Sequence, residues 1–153
     1  MIPNAAAPGI PRALQVEHED LHEALARLAN EPGQVGEAGA EVQALFESHA
    51  AREEQFALPL LGLLAPLASG ALTADAPAVI GLSRRLRSEL PDMLDDHLAI
   101  VAAVQILLDK ANELGRPDGS DVARKLILHA QLEEEVLYPA AILVGMYLEE
   151  RGA

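Results

Sequence analysis

Apolar residues recur along most of this chain at the three- and four-residue intervals that are typical of amphipathic α-helices. Glycine and proline interrupt this periodicity in residues 31–33, 69–77 and 115–119, where they favour turns. The pattern therefore predicts four helices joined by short loops. The predicted helices cover residues 12–30, 37–65, 77–114 and 120–150.

Three prolines fall inside the predicted helices. Pro59, Pro91 and Pro139 lie in the second, third and fourth of them. Because proline removes a backbone hydrogen bond and its ring clashes with the preceding turn, we expect a kink or a local break at each position. Short loops make consecutive helices antiparallel neighbours, so the predicted fold class is all-α, an antiparallel up-down four-helix bundle. This bundle spans residues 12–150 and follows a mobile N-terminal arm of residues 1–11.

The composition agrees with helices and excludes several partners. Aromatic residues make up only 3% of the chain, so its apolar half consists mainly of helix-forming residues such as alanine and leucine. The net charge of −13 repels phosphate groups, so no nucleic-acid partner is expected. The chain has no cysteine, which excludes disulfides and thiolate metal sites. Any metal must therefore be bound by nitrogen and oxygen ligands.

One uncharged stretch, residues 55–74, is long enough to raise the question of a membrane span. Prolines and glycines interrupt it, and no cluster of lysine or arginine flanks it, so we expect no membrane partner. The N-terminal residues lack the basic region of a secretory signal. A cytoplasmic protein is therefore predicted.

Each predicted helix places one histidine in its apolar seam. These histidines are His18, His49, His97 and His129. A single histidine in such a seam is usually a core residue bonded to a backbone carbonyl, but four imidazoles find few partners among leucine, valine and alanine. Glu53 and Glu133, each one turn after a histidine, add two carboxylates to the same interior. The inward face of the fourth predicted helix continues from Glu133 to Val136. A cation between the helices would satisfy all six groups at once.

The spacing of these residues repeats along the chain. His49 and His129 each begin the pattern His-x₃-Glu-Glu, with a proline ten residues after the histidine. His18 precedes the first pattern by 31 residues, and His97 precedes the second by 32. The chain is therefore interpreted as a duplication of a two-helix unit. Antiparallel association of the two halves predicts two equivalent metal positions about a pseudo-two-fold axis.

Taken together, the motifs resemble the hemerythrin-like (HHE) cation-binding domain. The matching features are the order His, His-x₃-Glu, His, His-x₃-Glu and the Leu-Tyr-Pro after the last motif, and they span about residues 12–147. The resemblance implies a non-haem di-iron centre bridged by two carboxylates and a solvent-derived oxygen. It assigns the terminal ligands to His18, His49, His97 and His129 and the bridges to Glu53 and Glu133.

Two further residues are candidate ligands. The oxygen-carrying hemerythrins have a second histidine one turn after the ligand of the third helix, where this chain has Val101. His22, one turn after His18, could supply that imidazole or could lie outside the set of ligands. Glu134 follows Glu133, but each residue turns a helix by about 100°, so we expect only Glu133 to share the face of the preceding histidine.

Mixed imidazole and carboxylate ligands suit iron or manganese better than calcium, which prefers oxygen, or structural zinc, which closes at four ligands. We therefore predict two iron ions, with manganese or zinc as alternatives. Six protein ligands and a bridging oxygen leave about one coordination position open on each ion for a small partner such as O₂, NO or peroxide. The predicted function is to bind or sense that ligand, with a di-iron oxidase or peroxide-removing activity left open. The alternatives are an iron store or ferroxidase and a bundle with a purely structural metal.

Two uncharged stretches, residues 58–67 and 136–148, occupy corresponding places in the repeat and are apolar on more than one face. Because a bundle helix buries only one stripe, the excess predicts an exposed apolar patch. We expect a homodimer through Ile142, Met146 and their neighbours. The alternative is that the two stretches cover each other at the end of the bundle.

Overall fold

The computed structural model describes residues 9–71 and 75–152. The predicted all-α class is confirmed, since these residues are almost entirely helical and none of them forms a strand. The helices are α1 Arg12–Ala29, α2 Gln34–Phe56, α3 Leu58–Leu61, α4 Leu64–Ala68, α5 Ala76–Glu113, α6 Pro117–Leu132 and α7 Tyr138–Glu150, with a π-helical segment, Glu133–Leu137, between the last two. Most of the predicted arm, residues 1–8, and part of the second loop, residues 72–74, lie outside the described residues.

The second predicted helix is the one whose boundaries change most. The structure begins it at Gln34, after Gly33 takes a backbone φ of 91° that other residues rarely adopt, and ends it at Phe56. The helix therefore stops short of the expected residue 65, and the local break expected at Pro59 is confirmed. Pro59 cannot donate a backbone hydrogen bond and lies in the first turn of α3, so the chain continues as two short helices, α3 and α4.

The other two prolines differ in their effect. Pro91 lies within the continuous helix α5 and does not break it. Pro139 lies in the first turn of α7, directly after the π-helical segment, where the N–H of Tyr138 donates to the carbonyl of Glu133 five residues earlier. A π turn holds one residue more than an α turn, so it changes which residues face inward.

Because of this change of register, one residue predicted to face inward is exposed instead. Val136, expected on the inner face, is 51% exposed, whereas Tyr138 is only 1% exposed. The π-helical segment advances the inward face by the extra residue that it accommodates. Tyr138 thereby enters the interior near Glu133.

Buried residues form two apolar clusters along the helices. One contains Phe46 of α2, Ile100 of α5 and Leu126 of α6, and the other contains Met93 of α5 and Tyr138 of α7. Helix α2 packs on α1 and α5, and α5 also packs on α6 and α7. Each fully buried large apolar side chain stabilises the fold by about 1.5–3 kcal/mol, so both clusters contribute strongly. Along α2, α5 and α6, the histidines and glutamates lie between the two clusters.

The helical part of the uncharged stretch that raised the question of a membrane is divided among the end of α2, α3 and α4, which ends at Ala68. Within the part of the chain that the structure describes, no helix is both long enough and apolar enough to cross a membrane.

The exposed apolar surface of α7 is the basis for expecting a homodimer. Leu143 is 59% exposed, and Met146 and Tyr147 are each about two-fifths exposed, while Ile142 is half-buried. Helix α3 covers another part of α7, so the two stretches shield each other only partly. We expect light scattering over a dilution series to give a mass about twice the 16.2 kDa of one chain. A mass of one chain at every concentration would contradict the dimer.

Candidate metal centre

The six residues predicted as metal ligands lie together between the two apolar clusters. Helix α1 provides His18, α2 provides His49 and Glu53, α5 provides His97, α6 provides His129, and the π-helical segment begins with Glu133. None of these side chains is more than 4% exposed. Such burial of six polar groups requires strong mutual compensation or a bound cation.

The six residues form two groups that share both carboxylates. The first position consists of His18, Glu53, His129 and Glu133, and the second consists of His49, Glu53, His97 and Glu133. Within each group, one potential ligand atom of every residue lies within 4.8 Å of the others. Glu53 and Glu133 therefore lie where each could bridge two cations.

The separations within the groups suit common ligands of one ion. At the second position, Nε2 of His49 lies 2.8 Å from Nε2 of His97 and 3.2 Å from Oε1 of Glu53. At the first position, Nε2 of His129 lies 2.8 Å from Oε1 of Glu133. Adjacent ligands held at about 2.0–2.2 Å from one ion are themselves roughly 3 Å apart. The two imidazole nitrogens at this separation can either share one proton in a hydrogen bond or bind a common cation.

The opposite nitrogen of every one of these histidines faces an acidic side chain. The Nδ1 atoms lie 3.4 Å from Glu54 for His18, 3.1 Å from Asp96 for His49, 2.8 Å from Glu134 for His97, and 2.8 Å from Glu17 for His129. A carboxylate accepts a hydrogen bond from Nδ1–H, which leaves Nε2 free to bind a metal and holds the ring in place. All four imidazoles are therefore oriented as ligands.

These outer carboxylates follow the same duplication as the ligands. Glu17 and Asp96 each directly precede the lone histidine of their repeat, while Glu54 and Glu134 are the second glutamates of the two His-x₃-Glu-Glu motifs. The helical periodicity alone does not give them this role, although the repeat contains the signal. Glu134, considered there as an additional ligand, lies instead against Nδ1 of His97 and belongs to neither group of described residues.

His22, the other additional candidate, also lies outside both groups found among the described residues. Its ring is half-buried and packs 4.8 Å, centroid to centroid, from the ring of Phe46. It lines a cavity together with His18 and Glu54. His22 therefore lies beside the first position.

Tyr138 is the residue of the centre that sequence analysis missed. Its hydroxyl donates to Oε1 of Glu53 and lies 3.1 Å from Nε2 of His49 and 3.2 Å from Oε2 of Glu133. In an unbroken α-helix, Tyr138 would be rotated by about 500° from Glu133, or about 140° beyond one full turn, and would point well away from the inward face. Only the π-helical segment brings it inward.

Burial and neighbouring charges set the protonation states. Burial lowers the pKa of His97 and of His129, which favours the neutral ring. Burial also acts to lower the pKa of His49, but the hydrogen bond and charge of Glu53 raise it. For Glu53, burial acts to raise the pKa, yet the hydrogen bonds of His49 and Tyr138 lower it, so the carboxylate is ionised. Neutral imidazoles and ionised carboxylates are the forms that bind metal, so the lowered pKa values of His97, His129 and Glu53 favour binding, whereas the raised pKa of His49 means that a metal must displace a proton there.

Two buried atoms of this centre lack a satisfactory hydrogen bond within the described chain, namely Oε2 of Glu53 and Nε2 of His129. The short approach of His129 to Glu133 does not have hydrogen-bond geometry. An unsatisfied buried polar group costs about 1–3 kcal/mol. Both orphaned atoms belong to the first position, so a cation there would remove this cost. The residues present therefore fit a metal, and the buried histidine and glutamate cluster could bind one.

No family model matches the chain, and neither a curated protein nor a solved structure matches it. The chain's possible ligands must therefore be inferred from its own residues.

Proposed function

We propose that this chain is a hemerythrin-like, antiparallel four-helix bundle that holds a pair of iron ions and binds or senses a small ligand such as O₂, NO or peroxide. The observation that carries the proposal is the pair of four-residue groups sharing Glu53 and Glu133. The orientation of all four imidazoles by outer carboxylates supports it.

The donor set suits iron. Each position offers two imidazole nitrogens and two carboxylate oxygens, which is two ligands short of octahedral coordination. Manganese suits the same donors, and zinc could accept four ligands at each position. When bound, an iron pair supplies open coordination positions and electrons for small-ligand chemistry.

The chain's own residues provide the environment for that chemistry. Phe46 packs edge-on against His18, at 5.8 Å between ring centroids, and Met93 is fully buried one turn before His97. Apolar side chains thus border both metal positions. The carboxylates at Nδ1 keep the imidazole rings fixed, so the centre is organised before a ligand enters.

Metal analysis provides the direct test. Protein reconstituted anaerobically with ferrous iron is expected to hold about two ions per chain, separated by ~3.5–4 Å as bridged pairs are. Elemental analysis gives the stoichiometry, and X-ray absorption spectroscopy gives the separation. Optical and magnetic spectra after exposure to air should show a coupled ferric pair. One tightly held zinc ion with no uptake of iron would contradict the proposal.

The same preparation distinguishes the iron-store alternative. A protein that binds or senses a small ligand should oxidise only the iron that fills its two positions. Continued oxidation of excess Fe²⁺ over many equivalents would instead indicate a ferroxidase.

A further inference from the structure

The two metal positions differ at more than one pair of corresponding residues, since His22 beside the first position corresponds to Val101 in the other half, and a second pair differs in whether it carries an oxygen. The duplication aligns Tyr138 with Leu58, because each directly precedes the proline that lies ten residues after a motif histidine. Both side chains are about 99% buried. Tyr138 therefore brings an oxygen to one half of the centre where Leu58 brings only carbon to the other.

The hydroxyl of Tyr138 lies among all four members of the second position. Besides its contacts with Glu53, His49 and Glu133, it lies 3.3 Å from Nε2 of His97. Neighbouring ligands of a single ion are roughly 3 Å apart, so the phenol oxygen has the separations of an additional ligand atom. A tyrosine that only filled space in the core would not need its hydroxyl to contact all four of these potential metal ligands.

The first position is bordered by open space instead. A cavity of about 250 Å³ lies beside it, lined in part by His18, Leu14 and Leu58. Leu58 has no atom that can coordinate a metal, and the cavity is large enough for a diatomic molecule or azide. Access and coordination therefore favour an external ligand at this position.

We propose that the oxygen of Tyr138 is a fifth protein ligand of the ion at the second position, so that the external ligand binds at the first position through this cavity. The inference rests on the proposed function, since it requires the pair of ions. On binding, the phenol O–H bond breaks, the oxygen donates its electron pair to the cation, and the proton is released to solvent. The duplicated sequence thus forms two chemically unequal positions.

The test compares the ferric, iron-loaded wild type with Tyr138→Phe and Tyr147→Phe. Tyr138 and Tyr147 are the only two tyrosines, and Tyr147 is exposed, which makes it a matched control. A phenolate bound to Fe³⁺ gives a visible charge-transfer band and enhanced phenolate vibrations in the resonance Raman spectrum. We expect both signals in wild type and Tyr147→Phe, and neither in Tyr138→Phe. Iron content and circular dichroism should stay the same in all three.

A second arm locates the external ligand, with azide as the probe. Leu14→Phe narrows the cavity and is expected to weaken azide binding by about tenfold, or ~1.4 kcal/mol, while leaving the phenolate band unchanged. Unchanged azide affinity would overturn the assignment of the external ligand to the position beside this cavity.

The outcomes separate the two proposals. Two bound irons without a band that Tyr138→Phe removes would overturn the tyrosine ligand and leave the proposed function standing. Absence of iron from the wild type would reject the proposed function and, with it, the tyrosine ligand. If Tyr138→Phe misfolds, resonance Raman of the wild type with ring-deuterated tyrosine, measured beside Tyr147→Phe, still decides whether a phenolate is bound.

Discussion

Glu133→Ala is expected to abolish stable binding of both metal ions, whereas Glu134→Ala should still hold two ions when iron is supplied in excess. Glu133 is fully buried and belongs to both metal positions, so its loss removes one protein ligand from each. Glu134 belongs to neither metal position and contacts Nδ1 of His97, and loss of such a partner typically weakens metal affinity by about 10–100-fold. Iron titration followed by elemental analysis measures both affinity and stoichiometry.

The two variants are matched because each removes one negative charge from adjacent residues of the same π-helical segment. A general effect of charge or of local helix stability would therefore act on both. Equal loss of metal from Glu133→Ala and Glu134→Ala would show that the wrong carboxylate has been assigned or that both coordinate.

Metal binding is also expected to stabilise the fold strongly. The unfolded chain does not bring the ligands of four helices together, so metal binds the native state selectively. With free metal at about 1,000 times its dissociation constant, each filled site raises the free energy of unfolding by roughly 4 kcal/mol. For a chain of this length, one filled site corresponds to a rise in Tm of about 8–16 °C. Removing the metal also exposes the cost of the orphaned atoms of Glu53 and His129.

Thermal unfolding of metal-free protein, with and without ferrous iron under anaerobic conditions, tests this expectation. Glu133→Ala serves as the control, since its Tm should respond little to added iron. Identical Tm values for metal-free and iron-treated wild type would show that metal binding contributes nothing to folding.

The repeat identifies the outer carboxylates but does not predict which histidine each of them contacts. Glu17 lies next to His18 in the sequence but contacts His129, which is 112 residues further along the chain. The duplication indicates that Glu17 and Asp96 are equivalent, yet it does not indicate which histidine each one holds. That choice depends on which helices are neighbours, and therefore on packing.

The close packing of α7 against α5 could not be predicted from the sequence either. A Cβ atom added to Gly145 would lie 2.1 Å from the side chain of Ser83 on α5, so only glycine allows this approach of the two helices. The hydroxyl of Ser83 also donates to the carbonyl of Ile142. The sequence shows a glycine within a helical pattern, but the contact that requires it arises only when α5 and α7 meet.

The sequence by itself determined the helical class and the six inward-facing candidate ligands, because the α-helical period depends on local backbone geometry and predicts which residues share a face. The tertiary structure decided that His18 is grouped with His129 and His49 with His97. It also decided that Tyr138 enters the centre, since this depends on a π turn before Pro139. Periodicity assumes a constant rotation per residue, so one π-helical segment is enough to place a residue that the sequence pattern directed elsewhere.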